Sequence, residues 1–564
     1  MNERMITMRK FLFASIAVIV VVFLLVYIGV NMTSGDKVVK ITDKNKNQQL
    51  AKMIEKINIS KAKPIKGQID LSTADVASEL PDISKFPVSV DNTTESFVEI
   101  FSSTEKSSDG KNGWLNEVAN KFNDAKFNLN GKQVSVKIRN IASGTATDFI
   151  KTGKYVPDAF TPSNELWGQM ITASGVQTET VSSRLVGNVP GIVISKTKYN
   201  ELMKKYSKVD PKTVIEAMTK NELSMGYTDP FTSSTGLNFL VTTLNSFDSK
   251  DVLSDTAVRG FERFQANVPF TASTTLQMSD AAESGVLDAF VLEYQTFVNS
   301  PGLKNSYEFI PFGVRHDSPL YALGNLSKEK MDILKKFAEF TGQNNLQSLA
   351  KQDGFNGLNN YKSELKTIDG DTLSAAQKLW KGKKNTSNPI AAVFVADVSG
   401  SMDGKPLNEL KESLLKGQKY LGRDNSIGLI SYSADVTINL PIAKYDANQQ
   451  SKFVGAVSSL DASGDTATND GILVAINMLK DEMKKNPNVR PLIFVLTDGE
   501  TNHGNSLKNV KGIIKAYKIP IYTIGYNANI KALESISNIN EAANINADSD
   551  DVIYKIRNLF NVQL

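Results

Sequence analysis

The hydrophobic and polar positions of the chain follow three successive patterns. Residues 11–30 form a run of twenty residues without a charge. From residue 96 onward, short apolar runs of strand length alternate with segments in which apolar residues recur every three or four positions. In the last third, the run at 391–396 is apolar throughout and rich in valine and phenylalanine. Such a run predicts a strand that is buried on both faces of a sheet.

Strands and helices alternate regularly in the last third of the chain. The apolar runs predict strands at 391–396, 427–432, 492–496 and 519–524. The intervening periodic segments predict helices at 407–420, 470–484, 506–517 and 551–560. This alternation predicts an α/β fold for residues 390–564, namely a doubly wound, mostly parallel, Rossmann-like sheet with helices on both faces.

Oxygen-bearing side chains follow the predicted buried strands of this region. Asp397, Ser399 and Ser401 come directly after the strand at 391–396, and Asp498 comes just after the strand at 492–496. Thr466 precedes the predicted helix at 470–484. Ligands of open α/β sheets bind at the carboxyl ends of the strands, where these side chains are expected to converge. Carboxylates and hydroxyls are hard oxygen donors, which suit a small divalent cation.

Together these three segments resemble the von Willebrand factor A domain and its metal-ion-dependent adhesion site. The resemblance implies direct ligation by Ser399, Ser401 and Thr466, with Asp397 and Asp498 holding the cation mainly through waters. Thr468 remains an alternative to Thr466. The resemblance also implies that a protein partner offers an acidic residue to the metal. Mg²⁺ is the expected cation, and Mn²⁺ and Ca²⁺ stay open because all three accept oxygen donors.

Residues 95–377 alternate between strand and helix in a different arrangement. Strands are predicted at 97–101 and 134–138, and each is followed by small polar residues at the start of a helix. A third group of small polar residues precedes an apolar helix predicted at 237–244. Helix starts of this kind direct unpaired backbone N–H groups and partial positive charge at one point, which suits an oxyanion. Ser and Thr are also preferred helix caps, so a cleft without a ligand is the competing interpretation.

This region resembles the type II class of bacterial extracellular solute-binding proteins. The resemblance depends on the order of three segments, a crossing strand at 189–194, a return strand at 288–294 and the stretch at 317–323. It implies two lobes with a ligand cleft between them, and a small, anionic solute is one expectation. The candidate ligand contacts are Ser102, Ser103, Ser143, Gly144, Ser234, Thr235 and Tyr294. Glu293, next to Tyr294, would repel an anion unless it faces away.

The N-terminal residues predict a membrane anchor. At about 1.5 Å per residue, a helix over residues 11–30 spans roughly 30 Å of hydrocarbon. We expect a cytoplasmic tail at 1–10, a transmembrane helix at 11–30 and a basic polar stalk at 31–94; a cleaved signal peptide is the alternative. Lysines and arginines flank both ends of the span, so the charge count does not fix its orientation. The extracytoplasmic placement of the remainder follows from the resemblance. A polar linker at 378–389 joins the two modules.

Composition narrows the range of functions. The 564 residues carry a formal net charge of +4, so no strong basic field indicates a nucleic-acid partner. There are no cysteines and two histidines, which excludes disulfides and thiolate zinc sites and leaves little material for nucleophilic catalysis.

We therefore expect a non-enzymatic protein of the cell membrane that mediates metal-dependent interaction or adhesion and senses a small ligand. The alternatives are the receptor of an ABC-type importer, a helper subunit of an ATPase and a metal-dependent hydrolase.

Overall fold

The computed structural model describes residues 41–69, 76–269, 271–272, 278, 287–363, 365–385, 389–499, 501–526, 530–538, 544–547 and 551–564. The predicted transmembrane helix at 11–30 lies outside these residues. Within the described ranges, no helix combines the length and the apolar character needed to cross a membrane.

The segment before residue 70 packs against the C-terminal module. Helix α1 (Lys46–Ile54) buries Leu50 completely in the core on one face of that module. Strand β1 (Ile59–Lys61) pairs with β16 (Val436–Lys444) in parallel register, with Ile59 opposite Val436. Over 41–67 the chain therefore packs on the C-terminal module, with β1 as an added strand of its sheet, and the expectation of a separate polar stalk at 31–94 is corrected for this part. The physical reason is that its few apolar residues find a partner on the sheet edge.

The first module has two lobes. The sheet of lobe 1 has the strand order β2-β5-β3-β6-β13-β7, with β4 paired to β5. Its strands are β2 (Val88–Val90), β3 (Ser96–Ser102), β4 (Asn128–Leu129), β5 (Lys132–Asn140), β6 (Ala159–Thr161), β7 (Thr178–Ser182) and β13 (Leu320–Leu323). Its helices are α2 (Val76–Glu79), α3 (Thr104–Ser107), α4 (Trp114–Asp124), α5 (Ser143–Thr152), α6 (Glu165–Ala173), α13 (Lys328–Thr341) and α14 (Asn344–Gln352).

Lobe 2 has a sheet of order β10-β9-β11-β8-β12. Its strands are β8 (Pro190–Ser195), β9 (Met225–Thr228), β10 (Thr271–Ala272), β11 (Ala289–Glu293) and β12 (Tyr307–Pro311). Its helices are α7 (Lys196–Tyr206), α8 (Pro211–Thr219), α9 (Ser234–Phe247), α10 (Asp255–Gln265), α11 (Tyr294–Val298) and α12 (Pro301–Ser306). Asn188 and His316 form an isolated bridge where the chain crosses to lobe 2 and returns. The crossing strand predicted at 189–194 and the return strand predicted at 288–294 correspond to β8 and β11.

The C-terminal module is a single sheet of order β1-β16-β15-β14-β17-β18-β19, covered by helices on both faces. Its own strands are β14 (Ile390–Asp397), β15 (Ser426–Tyr432), β16, β17 (Arg490–Thr497), β18 (Ile521–Tyr526) and β19 (Asn544–Ala547). Its helices are α16 (Lys405–Gly417), α17 (Ala447–Ser458), α18 (Thr468–Lys485), α19 (Leu507–Tyr517), α20 (Ile530–Ser537) and α21 (Val552–Gln563). Strand β16 runs antiparallel to β15, so the sheet is mixed.

The core of this module centres on β14, which is buried along its whole length as its uninterrupted apolar run predicts. Phe394 stacks on Phe494, with ring centroids 5.2 Å apart, and also meets the edge of Phe560 from α21. These aromatic contacts fix the C-terminal helix against the sheet.

The predicted linker at 378–389 is shorter than expected. Helix α15 (Gly370–Lys383) continues through most of it and buries Trp380 in the core of the first module. Lys384 donates to the carbonyls of Asn561 (2.5 Å) and Val562 (2.7 Å) at the end of α21. The two modules are therefore in direct contact, because this lysine meets the unpaired carbonyls of a helix C-terminus.

Candidate functional site

Four of the five side chains predicted to bind a cation meet at one edge of the C-terminal sheet. Strands β14 and β17 are parallel neighbours, so the residues that follow them lie side by side. The Ser399 N–H donates to Asp397 Oδ1 (2.9 Å), and the hydroxyls of Ser399 and Ser401 are 3.1 Å apart. The Ser401 hydroxyl donates to Asp498 Oδ1 (2.9 Å). Four of the five predicted residues thus form one continuous hydrogen-bonded group.

Thr466 comes from a separate loop that is tied to the same edge. The Gly400 N–H donates to the Gly464 carbonyl (2.8 Å), and the Ser463 N–H donates to the Val398 carbonyl (2.8 Å). Gly464 has a φ of +80°, a turn conformation that glycine adopts without steric cost. Thr466 lies two residues beyond this turn, whereas the alternative, Thr468, is already the first residue of α18.

The electrostatics of this edge favour a cation. Asp397 is fully buried, and its Oδ2 accepts hydrogen bonds from the hydroxyls of Thr497 (2.5 Å) and Tyr432 (3.2 Å). Burial raises the pKa of the Asp397 carboxyl above its ordinary value, and the nearby charge of Asp498 adds to this effect. Two carboxylates and three hydroxyls make a donor set that fits a hard divalent ion. We refer to Asp397, Ser399, Ser401, Thr466 and Asp498 as the metal edge.

The described part of the chain has no group of three or more His, Cys, Asp or Glu side chains arranged to hold a metal ion. His503, which the sequence places past Asp498, lies near the metal edge with Nδ1 3.9 Å from Asp465 Oδ2. Both of these side chains are exposed to solvent.

A second candidate site is a cavity of about 260 Å³ between the two lobes of the first module. Lobe 1 contributes hydroxyls from residues such as Thr104, Ser143 and Ser163, and lobe 2 contributes the run at 232–235. The sequence predicted Ser143, Ser234 and Thr235 as ligand contacts, and the structure places all three on the lining. They lie there because each belongs to the first turn of a helix that begins at the cleft.

The other four predicted contacts do not line this cavity. Ser102 and Ser103 are buried beneath it, with exposed fractions of 0% and 1%. Gly144 instead joins the lobes, because its N–H donates to the Thr232 carbonyl of lobe 2 (3.3 Å). The ring of Tyr294 packs on Phe309, with centroids 5.3 Å apart.

Three carboxylates line the cavity, which the sequence interpretation did not include among the ligand contacts. They are Glu105, Asp229 and Glu293. The lining contains no lysine, arginine or histidine from the described residues. An anionic ligand would therefore meet carboxylate oxygens, which disfavours the anionic solute that is one expectation from the sequence. The sequence did carry a warning, because Glu293 directly precedes a predicted contact.

Two of these carboxylates lie beside a buried, nitrogen-bearing side chain. Lys106 Nζ lies 3.4 Å from Glu105 Oε1 and donates to the Thr161 carbonyl (2.8 Å). His316 Nδ1 is 2.6 Å from Glu293 Oε1. Burial alone would raise the pKa of Glu105, but the charge of Lys106 and the Ser103 hydroxyl hold it below its ordinary value.

The pKa of the third carboxylate, Asp229, depends on charges that are not in direct contact with it. Burial raises the pKa of Asp229, and the charges of Lys384 and Lys381 on the interface between the modules oppose this effect. Asp229 Oδ1 also accepts a hydrogen bond from the Phe231 N–H (2.9 Å).

The C-terminal helix α21 reaches this cavity from the other module. Tyr554 and Asn558 are part of the lining. The Tyr554 hydroxyl is hydrogen-bonded to Thr145, and Arg557 Nη2 lies 2.6 Å from Asp148 Oδ2. Both of these partners lie on α5 of lobe 1, so the last helix of the chain closes one side of the cleft.

Comparison with known families identifies both modules. The model of the von Willebrand factor type A domain matches residues 392–559, and the model described as bacterial extracellular solute-binding protein matches residues 107–356. The chain therefore contains a vWA domain preceded by a solute-binding domain. We use these names for the C-terminal and first modules from here on.

Curated relatives are similar over less than a third of the chain. Inter-alpha-trypsin inhibitor heavy chain H3 of Bos taurus is 34% identical over 178 residues, which are 29% of this chain and 20% of the relative. The chain thus matches about a fifth of the relative's length.

Solved structures resemble single modules of the chain. The von Willebrand factor type A structure from Catenulispora acidiphila has a TM-score of 0.28 and 19% identity and covers 31% of this chain and 43% of its own. The sulfate-binding protein SubI from Mycobacterium tuberculosis has a TM-score of 0.34 and 12% identity and covers 50% of this chain and 91% of its own.

Proposed function

We propose that this protein is a membrane-anchored, extracytoplasmic and non-enzymatic interaction protein. Its vWA domain binds a divalent cation at the metal edge and captures an acidic side chain of a protein partner. Its solute-binding domain senses a small ligand in the cleft between the lobes. The observation that supports this proposal most directly is the convergence of two carboxylates and two hydroxyls at one sheet edge, to which the loop that carries Thr466 is tied by backbone hydrogen bonds.

The residues fit the cation in both number and kind. Ser399, Ser401 and Thr466 would offer neutral oxygens, and Asp397 and Asp498 would supply the negative charge. A shell in which neutral hydroxyls predominate leaves a bound Mg²⁺ or Mn²⁺ electrophilic, so that it can accept a partner's carboxylate. The chain itself orients these groups through the hydrogen bonds from the Ser399 N–H to Asp397 and from Ser401 to Asp498.

The test is a titration of the full chain in detergent with Mn²⁺, in which electron paramagnetic resonance of the free ion measures how much Mn²⁺ is bound. We expect one bound Mn²⁺ per chain that Mg²⁺ displaces, and loss of this binding in Asp498→Ala. Retention of full Mn²⁺ affinity in Asp498→Ala would contradict the assignment of the metal edge. The membrane anchor is tested separately by protease treatment of intact cells, which should remove the vWA domain if it is extracytoplasmic.

A further inference from the structure

The carboxylates around the cleft share one orientation. Glu105 faces the cavity, whereas its partner Lys106 is fully buried and does not line it. Glu293 faces the cavity, whereas His316, whose Nδ1 lies 2.6 Å from its carboxylate, has 1% of its surface exposed and does not line it. In both pairs the carboxylate faces the cavity and its nitrogen-bearing partner does not.

Asp229 extends the same pattern. It lines the cavity, while Lys381 and Lys384 lie outside the lining, at the interface with α21. Three carboxylates thus face one small cavity whose lining has no lysine, arginine or histidine among the described residues. Such a lining attracts positive charge.

The remaining polar groups of the lining are mainly hydroxyls, which can accept as well as donate hydrogen bonds. The volume of about 260 Å³ lies below the range for drug-sized ligands. The arrangement suits a small organic cation that donates hydrogen bonds.

The vWA domain supplies the third wall of the same cavity. Tyr554 and Asn558 face the ligand space from α21, and the contact between Arg557 and Asp148 holds that helix on lobe 1. A molecule in the cavity therefore touches both lobes and the vWA domain at once.

We propose that the cleft binds a small organic cation, such as a protonated amine bearing further hydrogen-bond donors, and that α21 of the vWA domain is part of this ligand site. The proposal rests on the proposed function in one respect, namely that the solute-binding domain retains a ligand. It adds the charge of that ligand and the participation of Tyr554 and Asn558 in its recognition.

The absence of native cysteines allows a direct test in the full chain. Thr104 is an exposed residue of the lining, so Thr104→Cys places one thiol at the cavity. This thiol is treated with a trimethylammonium-ethyl or a sulfonatoethyl methanethiosulfonate of similar size. We expect the cationic reagent to react faster by about tenfold, relative to the ratio at Ser458→Cys on an exposed helix end of the vWA domain. Thr232→Cys is the second cleft position if the first variant folds poorly.

Two further variants assign the effect to its source. Glu105→Gln should reduce the preference for the cationic reagent, and Asn558→Lys should remove or reverse it, because that lysine would add a positive charge from the third wall. Asn344→Lys, on an exposed surface of lobe 1, is the matched control and should leave the preference unchanged.

A ratio of cationic to anionic reaction rate that is no higher at both cleft positions than at Ser458→Cys would overturn the charge assignment. An unchanged preference in Asn558→Lys would overturn the role of α21. Mn²⁺ binding in the same samples reports the metal edge independently, so a failure at the cleft is distinguishable from a failure of the metal-dependent function.

Discussion

Asp397→Asn should separate the metal role of this residue from a purely structural one. In the metal-free protein, the variant removes a charge that is fully buried and close to Asp498. It also weakens the hydrogen bonds from Thr497 and Tyr432, which are strongest to a charged acceptor. These effects oppose each other, so we expect the free energies of unfolding of the two metal-free proteins to agree within about 1 kcal/mol.

The difference should appear when metal is added. A ligand at 100 times its dissociation constant stabilises the native state by about 2.7 kcal/mol. For a domain of this size, 1 kcal/mol shifts the melting temperature by roughly 2–4 °C, which gives the wild-type vWA domain a gain of roughly 5–10 °C. Asp397→Asn should lose most of this gain. Asp403→Asn is the matched control, because Asp403 is an exposed carboxylate two residues beyond Ser401.

The choice of assay follows from the positions of the aromatic residues. All three tryptophans, Trp114, Trp167 and Trp380, are buried in the solute-binding domain. Tryptophan fluorescence would therefore follow unfolding of that domain, and scanning calorimetry is needed to resolve the vWA transition. The reasoning fails if Asp397→Asn gains as much from Mn²⁺ as the wild type. It also fails if the wild type gains nothing and the variant is equally destabilised with and without metal, since Asp397 would then only order a turn.

Three other changes test the cleft and the contact between the modules. In Gly144→Ala, the new Cβ would lie 2.0 Å from a backbone carbonyl oxygen of the opposite lobe. We therefore expect small-angle scattering to show the lobes further apart, and the unfolding free energy of the solute-binding domain to fall by about 1–3 kcal/mol. Gly302→Ala, with open space around its Cβ, should show neither change. Burial raises the pKa of Glu79, so the wild type loses stability as the pH rises through that pKa. Glu79→Gln should therefore be more stable at pH 7.5 and equal near pH 4 in denaturant titrations, whereas the exposed Glu179→Gln should show no such difference. Burial holds the pKa of Lys384 well below its ordinary value, so the unfolding free energy of the wild type should rise between pH 8 and 10. In Lys384→Met the slope of this rise should be smaller by up to about 1.4 kcal/mol per pH unit. Equal slopes in the wild type and the variant would refute this.

The metal edge was predictable because it depends on local patterns. An uninterrupted apolar run identifies β14 as a central strand, and the residue after it must then lie at the carboxyl end of the sheet. Strands β1 and β16 gave no comparable signal. Strand β16 is half exposed along much of its length, and β1 has three residues, so neither shows the periodicity of a buried element.

The cleft was only partly predictable from sequence. Ser143, Ser234 and Thr235 could be found because small polar residues at helix starts are a local signal. Glu105 and Glu293 belong to the lining because of the way the two lobes pack together. No short sequence motif predicts that packing. Tyr554 is 409 residues away from its partner Thr145 in sequence, so only the packing of the two domains reveals their contact.

Helix α21 lines the cleft and also packs in the vWA core, on the strand that leads to the metal edge. On α21, Ile556 and Phe560 are fully buried in the vWA core, while Asn558 lines the cleft. Phe560 contacts Phe394 of β14, which ends three residues later at Asp397 of the metal edge. This contact places α21 between the two sites, but spatial continuity alone does not establish coupling. Coupling requires that a cleft ligand bind α21 differently in the metal-bound and metal-free states. If it does, linkage demands that Mn²⁺ change the affinity of the cleft ligand by the same factor by which that ligand changes the affinity for Mn²⁺.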